Sequence, residues 1–140
     1  MIAADMELIR DALQAANALS VVESIGGWGS PRVGFEEHRI DRSLDWSTLS
    51  GGEKQKVAAA RLVYHASLAA RSGRECVALL DEATSQMDAE SEQALYKNLL
   101  SRHLQLVSVT HRPSLLTYHT HALHLGHTPD TWRSEVLSTK

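Results

Sequence analysis

Three groups of residues have types and spacings that could do chemistry. The first is Leu49-Ser50-Gly51-Gly52-Glu53-Lys54-Gln55. Ser50 with Glu53 three residues on reads as a capping box that opens a helix. The two glycines leave first-turn N–H groups bare of side chains, at the positive end of the helix, where a phosphate could approach closely. A capping box alone would also account for Ser50 and Glu53. The second group is Val77-Ala78-Leu79-Leu80-Asp81-Glu82. A short apolar run ending in acids suits a strand buried on both faces, and ligands in open α/β sheets collect at the carboxyl ends of strands. Asp81 could hold Mg²⁺ through water there, and Glu82, projecting differently, could orient or deprotonate an attacking water. Two acids at such a place also serve as helix caps or solvated residues. The third group is Thr110-His111, just past a second strand-like run, Leu104 to Val109. If the two strands are neighbours, His111 shares an edge with Asp81 and could donate a hydrogen bond to a terminal phosphate; otherwise it is an ordinary turn residue.

Those residues need elements to hold them. Ala4 to Val22 spaces apolar residues at Met6, Ile9, Leu13, Ala16 and Leu19, which predicts a helix. Gly26 to Pro31 is a break, and Arg32 to Ser47 has no clear period. Ser50 to about Ala70 reads as a second helix, with Ala58, Leu62, His65 and Ala69 at helical spacing and Gly73 as its stop. Cys76 to Leu80 then reads as a strand, Asp88 as the cap of a helix reaching about Leu100, and Leu104 to Val109 as another strand. Pro113 opens a short helical or turn segment, and Ala122 to Leu125 and Ser134 to Ser138 read as two short strands. Strand, helix, strand is the pattern of a parallel α/β sheet.

The order and spacing tighten these readings: 31 residues run from Ser50 to Asp81 and 29 from Glu82 to His111. At this point the sequence resembles the ATP-binding cassette (ABC) family. LSGGEKQ resembles the family's signature motif, and VALLDE its Walker B strand with the catalytic glutamate. Ser85-Gln86-Met87-Asp88 resembles the D-loop, and His111 the switch histidine. Asp45-Trp46 before the signature, and Thr110-His111-Arg112-Pro113-Ser114-Leu115 with Tyr118-His119-Thr120-His121 after it, are similar to subfamily D, which includes peroxisomal half-transporters for acyl-CoA and very-long-chain fatty acids. A related bacterial group shares part of the pattern.

The resemblance implies an α/β fold: part of a P-loop NTPase (RecA-like) parallel sheet with its helices, plus the end of the ABC helical subdomain. Residues 1–48 would be the end of that subdomain and a loop, and residues 49–140 the signature, Walker B, D-loop and H-loop part of the ATPase core. It implies ATP and Mg as cofactors, Glu82 and His111 as catalytic residues, and Asp81 as the Mg ligand through water. Ser50, Gly51, Gly52, Glu53 and Asp88 would contact nucleotide. The implied partners are a second nucleotide-binding domain, whose ATP the signature would grip, and a transmembrane domain. The implied location is the cytosolic face of a membrane, peroxisomal for this subfamily. Two other readings stay open: a non-catalytic module that supplies the signature in trans to a partner cassette, and a fragment of a soluble ABC ATPase. Against the latter, Ala4 to Val22 lacks the sustained heptads of the chromosomal members. Ala83 after Glu82, where many soluble relatives carry proline, leans the same way by resemblance.

No glycine among the eight is followed by lysine, so the 140 residues contain no G-x-x-x-x-G-K-[ST] phosphate loop. The chain is therefore expected to cover only the carboxyl-terminal part of a cassette, to be inactive alone, and to be marginally stable with an exposed sheet edge. Composition adds exclusions. Lys plus Arg is 14 against 17 for Asp plus Glu, a net charge of -3, without the basic excess of a nucleic-acid binder. The single cysteine, Cys76, cannot form an internal disulfide. No apolar run approaches a membrane span, and the first residues carry no secretory pattern. His119, His121, His124 and His127 make up half of the eight histidines, but no cysteine or acid lies among them to complete a metal set. Trp28, Trp46 and Trp132 read as packing residues.

Overall fold

The computed structural model describes residues 2–24 and 46–137. The expected break at Gly26 to Pro31, the aperiodic stretch to Asp45, Trp28, and Ser138 at the end of the last expected strand lie outside them.

Three helices end in the same way. α1 (Ile2–Ala15) is followed by Asn17 at φ 52°, α3 (Gly51–Arg71) by Gly73 at φ 67°, and α4 (Ala89–Ser101) by His103 at φ 57°. After α1, the Asn17 N–H donates to the Gln14 carbonyl (3.0 Å) and the Ala18 N–H to that of Leu13 (2.8 Å), the paired bonds of a Schellman motif. Gly73 and Arg74 repeat this on Ala70 (3.0 Å) and Ala69 (2.9 Å). The single helix expected over Ala4 to Val22 is therefore two, α1 and α2 (Leu19–Ser24), because Asn tolerates the left-handed region and its turn satisfies the end of α1.

At the amino-terminal ends of α3 and α4 the caps are side chains. Ser50 and Glu53 form the reciprocal capping box on α3, and the Asp88 carboxylate accepts the Ser91 N–H (2.7 Å) to open α4. The buried face of α3 is Ala59, Ala60, Val63, Ala66 and Ala69, whereas Ala58 and His65 face solvent. Of the expected stripe, Ala69 is buried and Leu62 packs against the core, and the other two positions miss the face because alanine is spread around most of this helix and leaves its period ambiguous.

β1 (Val77–Asp81) and β2 (Gln105–Val109) pair in parallel, in register from Val77↔Gln105 to Asp81↔Val109, with α4 joining them. This βαβ unit is what the described residues contain of the larger parallel sheet that the sequence implies. After a 3₁₀ segment (Pro113–Tyr118), β3 (His121–His124) and β4 (Arg133–Val136) form an antiparallel pair.

One core joins α1, α3, α4 and the sheet. Leu80, Val63, Leu95, Tyr96, Leu99 and Leu115 all enter it, and the last five are fully buried. Each such side chain contributes about 1.5–3 kcal/mol relative to exposure. The Tyr96 hydroxyl bonds the Ser108 hydroxyl (3.1 Å), and burial pushes its pKa upward. His119 is tied into the same place, with Nε2 on Ser108 Oγ (3.0 Å) and Nδ1 on the Leu115 carbonyl (2.9 Å). His121 is exposed on β3 against Thr120.

The sheet is covered on one face only. Ala78 and Leu80 are buried, but Val77 is 56%, Leu79 77%, Val107 52% and Val109 59% exposed. The expectation that β1 is buried on both faces is corrected: α1, α3 and α4 pack on one side, and no element among the described residues covers the other.

Candidate functional site

The parallel register brings the second and third groups of residues to one edge. Asp81 ends β1 opposite Val109, which ends β2, so Glu82 and His111 both follow at the carboxyl ends of adjacent strands. The Glu82 N–H donates to the Val109 carbonyl (2.9 Å), one step beyond the ladder. His111 Nε2 lies 3.8 Å from Glu82 Oε1. The imidazole is almost wholly exposed, whereas Glu82 Oε1 is shielded from solvent and has no hydrogen-bond partner. Glu82 has φ 46°, a conformation that is uncommon for a side-chain-bearing residue and that clusters at functional sites. Asp81 is exposed at the strand tip.

The first group meets this edge through a turn. Residues 82–87 fold back with Ser85 N–H on the Glu82 carbonyl (3.1 Å) and Met87 N–H on the Thr84 carbonyl (3.0 Å). The amino-terminal end of α3 packs directly on this turn. A Cβ on Gly52 would lie 2.7 Å from the Gln86 carbonyl oxygen, and one on Gly51 would overlap the Gln86 side-chain amide. The turn's backbone thus requires a glycine at 52 apart from any ligand, whereas at 51 only the movable end of the Gln86 side chain stands in the way. Their amides precede the first backbone bond of the helix, from the Lys54 N–H to the Ser50 carbonyl (3.0 Å).

Ser50 and Glu53 are already engaged with each other. Glu53 Oε2 accepts both the Ser50 N–H (2.8 Å) and its hydroxyl (2.7 Å), and these bonds hold the Glu53 carboxyl below its usual pKa. The Ser50 hydroxyl would have to leave Glu53 to reach a phosphate. Asp88 sits apart from the acidic tip, at the start of α4. The Ser91 N–H and hydroxyl hold its pKa down to about 2, and Lys56 of α3 lies 3.4 Å away.

Three residues outside the expected set hold the turn. Gln55 bonds it from α3, with Nε2 on the Glu82 carbonyl (3.2 Å) and on Ser85 Oγ (3.0 Å). Arg112 bonds it from the other side: one guanidinium nitrogen donates to the carbonyls of Ser85 (2.9 Å) and Met87 (3.3 Å), the other to Glu92 (2.9 Å). Glu92 is buried and also accepts the Thr84 hydroxyl (2.9 Å). The only sequence signals were position: Gln55 lies one helical turn beyond Gly51 and Gly52, and Arg112 follows His111.

The donor set suits a hydrated Mg²⁺, which takes one or two carboxylates and keeps several waters. Asp81 supplies an exposed carboxylate, whereas Glu82 Oε1, orphaned and shielded from solvent, would have to open to reach a water. For ATP the fit is partial, because the chain lacks the glycine-rich loop and lysine that cradle phosphates.

Comparison with known proteins identifies relatives of one family. No family model matches the chain. It is 45% identical over 85 residues to ATP-binding cassette sub-family D member 1 of Drosophila melanogaster, which is 60% of this chain and 10% of that protein. It is 32% identical over 120 residues to sub-family D member 3 of Mus musculus (85% and 15%). It is 34% identical over 132 residues to the lysosomal cobalamin transporter ABCD4 of Mus musculus (92% and 18%). The chain is homologous to proteins of the ATP-binding cassette class. Within that class its homology is to subfamily D transporters, over much of its length. It spans between 10% and 18% of the length of these three relatives. No described helix is long and apolar enough to cross a membrane.

Proposed function

We propose that this chain is the carboxyl-terminal part of the ATP-hydrolysing domain of a subfamily D ABC transporter, which couples ATP binding and hydrolysis to transmembrane transport. The observation that carries this reading is the shared strand edge, where Glu82 and His111 lie 3.8 Å apart beside Asp81. In this reading Asp81 holds Mg²⁺ through water, and the ion when bound neutralises charge developing on the transferred phosphoryl group. Glu82 orients the attacking water and accepts its proton. His111, facing solvent, donates a hydrogen bond to the terminal phosphate.

The amides at the start of α3, with Ser50, Gly51 and Gly52, grip the γ-phosphate of ATP held by a second nucleotide-binding domain. Glu53 steadies that end, and Asp88 belongs to the same dimer seam. Residues 1–48 belong to the helical subdomain facing the transmembrane domain, and residues 49–140 to the ATPase core. The cargo we favour is a fatty acid or acyl-CoA-like molecule, carried at a peroxisomal membrane from its cytosolic face. Cobalamin, in the name of the mouse relative, is the competing cargo.

The test is ATP-dependent pairing. The chain is mixed with a complete subfamily D nucleotide-binding domain whose own glutamate is replaced by glutamine, and complex formation is followed by size-exclusion chromatography. The expected result is a complex that needs MgATP and is lost in Ser50→Arg. Association that ignores both nucleotide and Ser50 would sink the reading.

A further inference from the structure

The Gln55 side chain uses all of its polar hydrogens and its oxygen on one turn. Its two N–H groups go to the Glu82 carbonyl (3.2 Å) and Ser85 Oγ (3.0 Å), and its Oε1 accepts the Gln86 N–H (2.8 Å). These partners lie 27 to 31 residues further along the chain. On the opposite side Arg112 holds the Ser85 and Met87 carbonyls. The residue between β1 and this clamped turn is Glu82, the one non-glycine residue of the site at positive φ (46°). A left-handed glutamate persists only where its surroundings over-determine it. Relaxing Glu82 to a negative φ re-aims both its side chain and the peptide that follows, which breaks the bond from Gln55 to its carbonyl.

We infer that Gln55 is a positioning residue for Glu82: by holding the Glu82 carbonyl from α3, it fixes the left-handed backbone that points the carboxylate at the His111 edge. The same bonds make the amino-terminal end of α3 and the acidic tip one mechanical unit, so a ligand that shifts Gly51 and Gly52 also shifts Glu82. The functional weight of this clamp rests on the role proposed above for Glu82.

The experiment is NMR on the isotopically labelled 140-residue chain without nucleotide. In the unmutated chain Glu82 is expected to give the strong intraresidue amide-to-Hα Overhauser effect of a positive φ, and the Gln86 amide to exchange slowly. Gln55→Met keeps length but removes all three bonds. It is expected to abolish the Glu82 signature and to speed Gln86 exchange by about 10-fold or more, with the Leu95 and Leu99 amides unchanged. Gln55→Glu keeps the acceptor and loses the donors, so Gln86 stays protected while the Glu82 signature is lost, a split that a merely structural role would not produce. A positive φ at Glu82 that survives Gln55→Met overturns the inference, as does an unprotected Gln86 in the unmutated chain. If Gln55→Met does not fold, Ser85→Ala decides alongside the unmutated chain. The Glu82 signature should survive it, and its loss would assign the holding role to Ser85 instead. No step uses ATP, so failure here leaves the pairing test untouched, and failure of pairing leaves the clamp standing.

Discussion

Glu82 Oε1 and His111 Nε2 are 3.8 Å apart although 29 residues separate them in the chain. The parallel register of β1 and β2 makes this meeting, since each residue follows the last paired residues, Asp81 and Val109. The acceptor has no hydrogen-bond partner and is closed to solvent, so a water reaches it only when the carboxylate or the exposed imidazole beside it moves.

The edge has no G-x-x-x-x-G-K-[ST] phosphate loop beside it in these 140 residues. The chain is expected to release phosphate from MgATP at least ~100-fold more slowly than a complete cassette, because the phosphate cradle that supplies most of the electrostatic stabilisation is missing. A phosphate-release assay checks this. Activity well above the blank that disappears in Glu82→Gln would contradict it.

Arg112→Ala should destabilise the chain by about 2–3 kcal/mol. It strips a buried carboxylate, Glu92, of its guanidinium and leaves only the Thr84 hydroxyl. The figure sits below the roughly 3–5 kcal/mol of a fully buried pair because Arg112 is itself a third exposed. Urea unfolding followed by circular dichroism measures it; a change under ~0.5 kcal/mol would show that the pair contributes little.

Asp88 sets an acid limit on α4. Its folded pKa is about 2 against an ordinary 3.8, so it binds protons more weakly folded than unfolded. Its contribution is present above the ordinary value and is lost as pH falls from about 3.8 to about 2. Asp88→Asn retains an N-cap and should flatten the thermal midpoint through that window. An unchanged slope would mean that other carboxylates set it.

The two glycines should respond differently to repair. Gly51→Ala meets the movable amide of Gln86, and Gly52→Ala meets its backbone carbonyl. Adding Gln86→Ala is therefore expected to recover most of the thermal stability lost in Gly51→Ala and none of that lost in Gly52→Ala. Equal recovery in both would place the clash elsewhere.

Leu79→Lys should raise soluble yield while changing stability by less than ~0.5 kcal/mol, since the side chain is 77% exposed on an apolar face. Light scattering during heating and equilibrium unfolding test the two halves of that statement.

What could be read in advance was local or strongly patterned. The Ser50–Glu53 capping box spans a single turn, and the two apolar runs that became β1 and β2 are bounded by acids and by Thr110. The α1 break was illegible because Ala16-Asn17-Ala18 sits inside an unbroken apolar spacing, and only the backbone of Asn17 reveals it. The buried face of α3 was hidden by its many alanines. The bonds of Gln55 and Arg112 were illegible for another reason: their partners, Glu92 among them, lie 20 to 31 residues away, beyond any periodic rule.

The βαβ connection from Val77 to Val109 has a kinetic corollary. The acidic tip and the histidine edge are assembled by one continuous stretch whose strands are joined by a single helix, so closing that stretch costs little chain entropy. Closing it leaves the other side of the sheet, with Val77, Leu79, Val107 and Val109, as apolar surface still without a mate among the described residues.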